Sequence, residues 1–348
     1  MLKRTLIWSY ATSPPRTIYV GVPQGSVLSP VIFNFFMSDC PTTADIHEAY
    51  ADDITELESD PDLTTLSRKL QSSVDAIVEW ASSKKLKIAP GKSQVMLFSP
   101  WNKQYNYRPE VSIDGIDVAL NKYLKFLGVT FDPMYTFYHH ILDIYAKACQ
   151  RLNILRAVSG SSWGHDKETL IITYRALIVS VLTYACAVWF PNAKPTNIQK
   201  LQFVQNSALR LITGCHKAAD IDHLHAETKF MPVAAHLSML CTQFLASCLR
   251  TSHPSHDVVK LPPGPRRNIH GRPLKETLSS KFQDAVSPFL TNGIMHECNY
   301  LKSKDAIHTA AVSAAIASAK PNRVLGTHPP VIHPSERDLP RIYQTTLS

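Results

Sequence analysis

The chain has 348 residues, 45% of them hydrophobic and 18% charged, which is enough apolar material for more than one core, on the order of two to three domains. A formal charge of +8 and a pI near 9.0 permit a polyanionic partner without demanding one. The seven cysteines (Cys40, Cys149, Cys186, Cys215, Cys241, Cys248, Cys298) are odd in number and lack a tight repeating spacing, which excludes a disulfide framework and a zinc ribbon. Cys149 and Cys186 lie in apolar helical patterns, as buried thiols do in a reducing compartment.

The N-terminal segment MLKRTLIWSYATSPPRT has no apolar run long enough for a secretory signal. It shows no start of fold either, and reads as though cut from something longer. RTIYVGV is a short strand candidate that runs into the turn Gly21–Val22–Pro23–Gln24–Gly25. The residue before Pro23 is pushed to extended geometry, so no helix begins there. Ser29 and Pro30 fit an N-cap and a first helical position. The run Val31, Ile32, Phe33, Phe35, Phe36 and Met37 then predicts a buried helix. Residues 46–57, IHEAYADDITEL, read as a hairpin with Asp52 and Asp53 at or near its tip.

Asp60 as cap and Pro61 in the first turn predict an amphipathic helix, with Leu63, Leu66, Leu70, Val74, Ile77 and Ala81 as its apolar stripe. It ends near Ser82–Ser83. A turn at Pro90–Gly91 leads to a strand over 94–98, and Asp114–Gly115 between Val111–Ile113 and Ile116–Val118 is a strong hairpin signal. A further strand is expected over 125–131. After Pro133 the pattern becomes helical, over 138–157, 166–190 and 195–213, with one or two more helices in 216–250. The uncharged stretch 176–190 is shorter than the roughly 20 residues a membrane span needs, and reads as a core helix. From His253 the chain turns Pro-, His- and Ser-rich, with an Ala-rich helix near 305–320 and a weak core of its own.

Two adjacent carboxylates in a hairpin offer the hard oxygen donors that Mg²⁺ prefers. Two such ions, roughly 3.5–4 Å apart, can stabilise the attacking and leaving oxygens of an in-line phosphoryl displacement. Neighbouring strand side chains point to opposite faces, so one aspartate aims at a cleft directly; Asp52 is the expected principal ligand and Asp53 the auxiliary one. An Asp-Asp pair taken alone is more often an exposed turn. Cys215, His216, His223 and His225 match no standard zinc spacing and read as surface residues. Arg266, Arg267, His270, Arg272 and Lys275 form a basic run, as compatible with a solvated linker as with phosphate binding. No nucleophile elbow for Ser-His-Asp catalysis appears.

The aspartate pair is not alone. GVPQGSVLSPVIFNFFMSD followed by YADD resembles the paired core motifs of reverse transcriptases from non-LTR (LINE-type) retrotransposons. KKLKIAPGKSQVMLF resembles the next palm motif, YLKFLGVTFDP the primer-grip region, and SVLTYACAVW with LQFVQNSALRLITG the helical segment beyond it. The resemblance is collinear over about residues 17–250. It implies an α+β fold: a partial right-hand polymerase palm over 1–133, an all-α thumb and connection over 134–250, and a poorly ordered tail over 251–348. It implies an RNA-directed DNA polymerase acting on RNA template, DNA primer and dNTP with Mg²⁺ or Mn²⁺, inside the cell in nucleus or cytoplasm, with no membrane partner.

Carried over by residue, the resemblance implies that Asp52 and Asp53 hold the catalytic metals. Pro23, Gln24 and Gly25 line the nucleotide and template, and Tyr50 backs the aspartates. Lys92 sits near the leaving pyrophosphate; a solvated turn lysine is the equal alternative. Leu127 and Gly128 belong to the primer grip. One departure stands out. The family carries a further catalytic aspartate before the GVPQG turn, whereas residues 1–23 contain no Asp or Glu. Asp39, Asp45, Glu48 and Glu56 all follow the turn. The isolated polypeptide is therefore expected to lack polymerase activity. The alternative is a non-catalytic remnant that binds nucleic acid; a purely helical interaction protein leaves the YADD hairpin unexplained.

Overall fold

The structure, a computed structural model, describes residues 2–4, 7–8, 11–12, 16–18, 21–23, 25–99, 104, 107–160, 163–260 and 277–318. The chain divides into two compact units, Met1–Leu124 and Lys125–Ser348. Gln24, the basic run 266–275 and residues 319–348 lie outside the described residues.

Among the described residues the first unit mixes short strands with two α-helices and a 3-10 turn. β1 (Leu2–Arg4) pairs antiparallel with β4 (Arg16–Ile18), and β2 (Ile7–Trp8) with β3 (Ala11–Thr12). Helix α1 spans Ser29–Met37. Its start differs by one residue from the sequence expectation. Leu28 is the N-cap, and the Ser29 hydroxyl donates to the Pro23 carbonyl at 2.6 Å, tying the helix to the preceding turn. Nor is α1 buried as expected. Phe33, Phe36 and Met37 are half-covered, with Phe36 6.3 Å from Trp80, while Val27, Leu28, Val31, Ile32 and Phe35 are exposed, Phe35 by 81%. The helix is apolar on two faces, and only one is covered.

β5 (Ile46–Tyr50) and β6 (Asp53–Leu57) form the expected hairpin, followed by α2 (Leu63–Ser83). The cap of α2 is Asp62 rather than Asp60: its carboxylate accepts the Thr65 amide at 2.8 Å, three residues on, as an N-cap must. Asp60 instead accepts the Asp62 amide and pairs with Lys69. The hydroxyl of Thr64 first, then the Thr65 amide, hold the Asp62 carboxyl down at about 2. The Leu70, Val74 and Val78 stripe of α2 packs on Val111, Ile113 and Val118, with Ile88 and Val95 at the margin. β7 (Gln94–Val95), β8 (Ser112–Ile113), β9 (Ile116–Asp117) and β10 (Ala119–Leu120) complete the unit; β8–β9 is the Asp-Gly hairpin, and β7–β10 is parallel. Asp114 and Gly115 both take positive φ, 51° and 75°, as a type I′ turn requires.

The second unit begins with a correction. Residues 125–131 are two strands, β11 (Leu124–Phe126) and β12 (Val129–Phe131), folded on each other at Leu127–Gly128 with φ of 44° and 84°. Gly128 was the signal for this turn; a leucine at positive φ masks it, because only glycine and asparagine visit that region cheaply. The chain then turns around Asp132, which is 7% exposed. Its carboxylate accepts from the amides of Met134, Thr136 and Phe137 and from the Thr136 hydroxyl, at 2.6–3.1 Å. Tyr135 and Phe137 sit at φ of 49° and 53°. Each such residue costs about 1–2 kcal/mol, and the four donors on one carboxylate offset this.

Helices α3 (Tyr138–Ala157), α4 (Lys167–Tyr174), α5 (Ser180–Thr183), α6 (Cys186–Trp189), α7 (Pro195–Thr213), α8 (Ile221–Thr228), α9 (Val233–Cys248), α10 (His256–Lys260), α11 (Leu278–Val286) and α12 (Glu297–Ser318) follow. The single helix expected over 166–190 is interrupted twice. A π turn at Arg175–Val179 leaves the Leu177 carbonyl free to accept from Arg151 at 2.7 Å, and Ala185 at φ 47° breaks the helix before α6. By length and composition the helical run Lys167–Asn192 could cross a membrane, yet Leu170, Tyr174, Ile178, Leu182, Cys186 and Trp189 on it lie in the core. Residues 277–318 add Phe282, Val286, Met295 and Ile307 to that same core rather than forming a weak one of their own.

Between α3 and β12, His140 accepts the Thr130 amide on Nδ1, which fixes a neutral ring with its proton on Nε2. Burial first, with Lys147 and Lys125 adding to it, pushes the ring down to about 4 from the ordinary 6.5. The unfolded chain thus binds the extra proton between those values, so stability is full above pH 6.5 and declines as pH falls towards 4. His140→Gln is expected to flatten the thermal-midpoint profile between pH 6.5 and 5, where most carboxylates are still ionised. Asp132→Ala should cost the second unit about 3 kcal/mol in urea unfolding, since it strands three amides beside two strained residues.

Candidate active site

The aspartate hairpin is set by its register. Tyr50 pairs with Asp53, Ala49 with Ile54, Glu48 with Thr55, His47 with Glu56 and Ile46 with Leu57. Only Ala51 and Asp52 remain for the turn. Ala51 takes φ 54° and Asp52 does not, the pattern of a type II′ turn. Asp52 therefore projects from the turn itself, while Asp53 opens β6 on the face it shares with Tyr50, Glu48 and Thr55. Both carboxylates are exposed, and Tyr50 is 65% exposed. The opposite face carries His47 bonded to Glu56, with side chains only 11% and 7% exposed. Ser73 of α2 donates to Glu58 at 2.8 Å just past β6 and pins the hairpin to the helix.

The neighbouring acids are occupied elsewhere. Asp39 holds Lys84 and the Trp80 indole, and those bonds, Lys84's first, pull its carboxyl down. Asp45 accepts from the amide and hydroxyl of Ser59, which lower it likewise. Glu56 belongs to His47. Glu48 shares the face of Asp53, but among the described residues no three His, Cys, Asp or Glu side chains come together as a metal would need. The donor set has the right chemistry for Mg²⁺ and is too small for a two-metal centre.

The other sequence candidates sit on other elements. Pro23 and Gly25 lie in a tight turn in which the Ser26 amide donates to the Pro23 carbonyl at 3.2 Å; Gly25 takes φ 86°, a conformation that favours glycine. Lys92 ends the 3-10 turn Pro90–Lys92 and is exposed. Among the described residues no hydrogen bond or ion pair joins it to Asp52 or Asp53. Leu127 and Gly128 form the β11–β12 turn of the second unit.

Some working residues were not singled out in the sequence. Tyr184 donates its hydroxyl to the Leu127 carbonyl at 2.7 Å, and a Cβ on Gly128 would stand 3.1 Å from the Tyr184 ring. Gln202 accepts the Val233 amide and donates to Asn206, while Gln205 donates to the Met231 carbonyl, so the LQFVQN stretch holds the start of α9. His225 is not a surface residue: it is half-buried against the Phe230 carbonyl and Gln202, and burial lowers its pKa. A glutamine pair on a helical face was the only cue, and periodicity alone does not separate it from a solvated face.

Residues 2–131 match the family described as "Reverse transcriptase (RNA-dependent DNA polymerase)". The chain is 27% identical over 275 residues to a probable RNA-directed DNA polymerase from transposon BS of Drosophila melanogaster, covering 76% of this chain and 30% of the relative. It is 29% identical over 214 residues to the RNA-directed DNA polymerase of the mobile element jockey of the same species, covering 57% and 22%. Against a probable RNA-directed DNA polymerase from its transposon X-element the identity is 28%, covering 70% and 28%. The chain thus spans less than a third of the length of these relatives. No solved structure matches it.

The turn itself is open to test. Relief of the left-handed strain at Ala51 outweighs the added freedom of the unfolded chain by roughly 0.5 kcal/mol. Ala51→Gly should therefore slow amide exchange along the β5–β6 ladder, and faster exchange would contradict the turn assignment.

Proposed function

We propose that this chain, which carries the reverse transcriptase sequence of a non-LTR retrotransposon, supplies part of the palm and the following helical segment of an RNA-directed DNA polymerase. The observation that carries the reading is the hairpin register: pairing Tyr50 with Asp53 presents two exposed carboxylates side by side at the end of a strand pair, in the segment that matches the family. In this reading Asp52 and Asp53 are two of the ligands for Mg²⁺ or Mn²⁺, the metal supplying charge stabilisation for nucleotidyl transfer to a primer 3′-hydroxyl. Gln24 and Gly25 border the nucleotide, the glycine letting the backbone approach closely. Tyr50 supports the aspartates and Lys92 offers a charge for the leaving pyrophosphate. Leu127 and Gly128 hold the primer strand, and the helices over 134–250 act as thumb and connection along an RNA–DNA hybrid.

The size of the donor set favours a second reading of the chain by itself. Two carboxylates with no third partner among the described residues fit a non-catalytic remnant that retains hybrid binding. The two readings differ in what must be added: the polymerase needs a further carboxylate from another segment, the remnant needs nothing.

Purified chain is expected to bind an RNA–DNA hybrid with a recessed 3′ end in a salt-dependent manner, and to give no primer extension with Mg²⁺ or Mn²⁺. Extension that disappears in Asp52→Asn would show the donor set to be complete and overturn the inactivity. Failure to bind the hybrid at low salt would sink the polymerase-module reading.

A further inference from the structure

The β11–β12 turn is shaped by an improbable pair of backbone conformations, Leu127 at φ 44° and Gly128 at φ 84°. Glycine accepts this and leucine resists it. An isolated two-stranded hairpin is marginal in water. Something outside the hairpin must hold the turn, and the second unit contains it.

Tyr184 stands where the helical run breaks, between α5 and α6, with its own backbone extended and Ala185 left-handed behind it. The break throws the tyrosine side chain out of the helix and across the turn. Its hydroxyl donates to the Leu127 carbonyl at 2.7 Å, and its ring lies so close to Gly128 that a methyl there would meet Cε1 at 3.1 Å. Tyr184 is anchored in turn. The fully buried Trp189 donates its indole N–H to the Tyr184 carbonyl at 3.0 Å and packs edge-to-face on His140, with ring centroids 5.9 Å apart. His140 accepts the Thr130 amide of β12. The links close a circuit from the turn, through the helix break and the core, back to the second strand of the same hairpin.

We propose that Tyr184 is a positioning residue for the primer strand: it fixes the Leu127–Gly128 turn in the one backbone shape that can meet the duplex, and the helix break exists to place it. The role rests on the reading of that turn as the primer grip. The aromatic ring is needed to cover Gly128 and the hydroxyl to hold the carbonyl, so phenylalanine keeps the first function and loses the second.

The test uses the full chain and two probes, a DNA primer annealed to an RNA template with a recessed 3′ end and the RNA template alone. The quantity read is the ratio of the two affinities, together with amide exchange at Leu127–Thr130. Loss of one hydrogen bond corresponds to about a fivefold change. Tyr184→Phe should reduce the ratio by about that factor and speed exchange in the turn. Gly128→Ala, which strains the turn and collides with the ring, should reduce the ratio at least as much. A general loss of stability would weaken both probes together and leave the ratio unchanged, and that result overturns the positioning role. If Gly128→Ala lowers the ratio while Tyr184→Phe alters neither readout, the grip stands and the role of Tyr184 falls. If the unaltered chain does not prefer the primed hybrid, or Gly128→Ala leaves the ratio unchanged, the grip reading fails and Tyr184 loses its role with it.

Discussion

Everything about the aspartate hairpin depends on one constraint, the pairing of Tyr50 with Asp53. A strand pair with this register leaves two residues for the connection, and a two-residue connection matches the strand twist only if at least one of them turns left-handed. Ala51 takes that position. Asp52 is thereby removed from strand alternation, and Asp53 begins it. The adjacent carboxylates are thus not equivalent: one projects from a turn and the other from a pleated strand, so together they can address one site from two directions. Shifting the register by one residue would send Asp53 to the His47–Glu56 face and separate them.

Much of this was legible in the residues. The Asp-Gly hairpin, the α2 stripe, the 46–57 hairpin and the helices α3, α7 and α9 follow from local rules that nothing in the tertiary fold opposes. The misreadings have different causes, some local and some from neighbours distant in sequence. Ser29 has the chemistry of an N-cap but gives its hydroxyl to Pro23. Asp60 precedes a proline as a cap would, but the Thr65 amide lies within reach of Asp62. Leu127 reads as a strand residue, and its carbonyl in the turn accepts from Tyr184, distant in sequence. The run 166–190 reads as one helix because its apolar spacing continues through the π turn at Arg175–Val179 and the left-handed Ala185.

The candidate site is legible in the same uneven way. The carboxylate pair and the glycine turns are short-range features, and the structure places them as hairpin and turns. What occupies the other acids is long-range. Asp39 meets Lys84, Asp45 meets Ser59 and Glu56 meets His47, none of them implied by spacing. Among the described residues no third such donor joins Asp52 and Asp53.

The two units differ in how firmly they can hold such features. In the first, among the described residues, Val111, Ile113 and Val118 cluster against α2 with partly covered neighbours, Ile77 and Ala81 of α2 are buried besides, and one apolar face of α1 is exposed. In the second, a continuous core runs from Val129 to Ile307, with Trp189, Tyr174 and Leu209 wholly enclosed. Catalytic groups need placement to within roughly half an ångström, which rigid packing supplies and thin packing does not. The Leu127–Gly128 turn is tied to that core through the Tyr184 hydroxyl and the Trp189 indole bonded to the Tyr184 carbonyl. The aspartate hairpin is pinned to α2 through Ser73 and braced across its strands by the His47–Glu56 pair. The register of the two carboxylates is fixed along the strand pair by its hydrogen bonds.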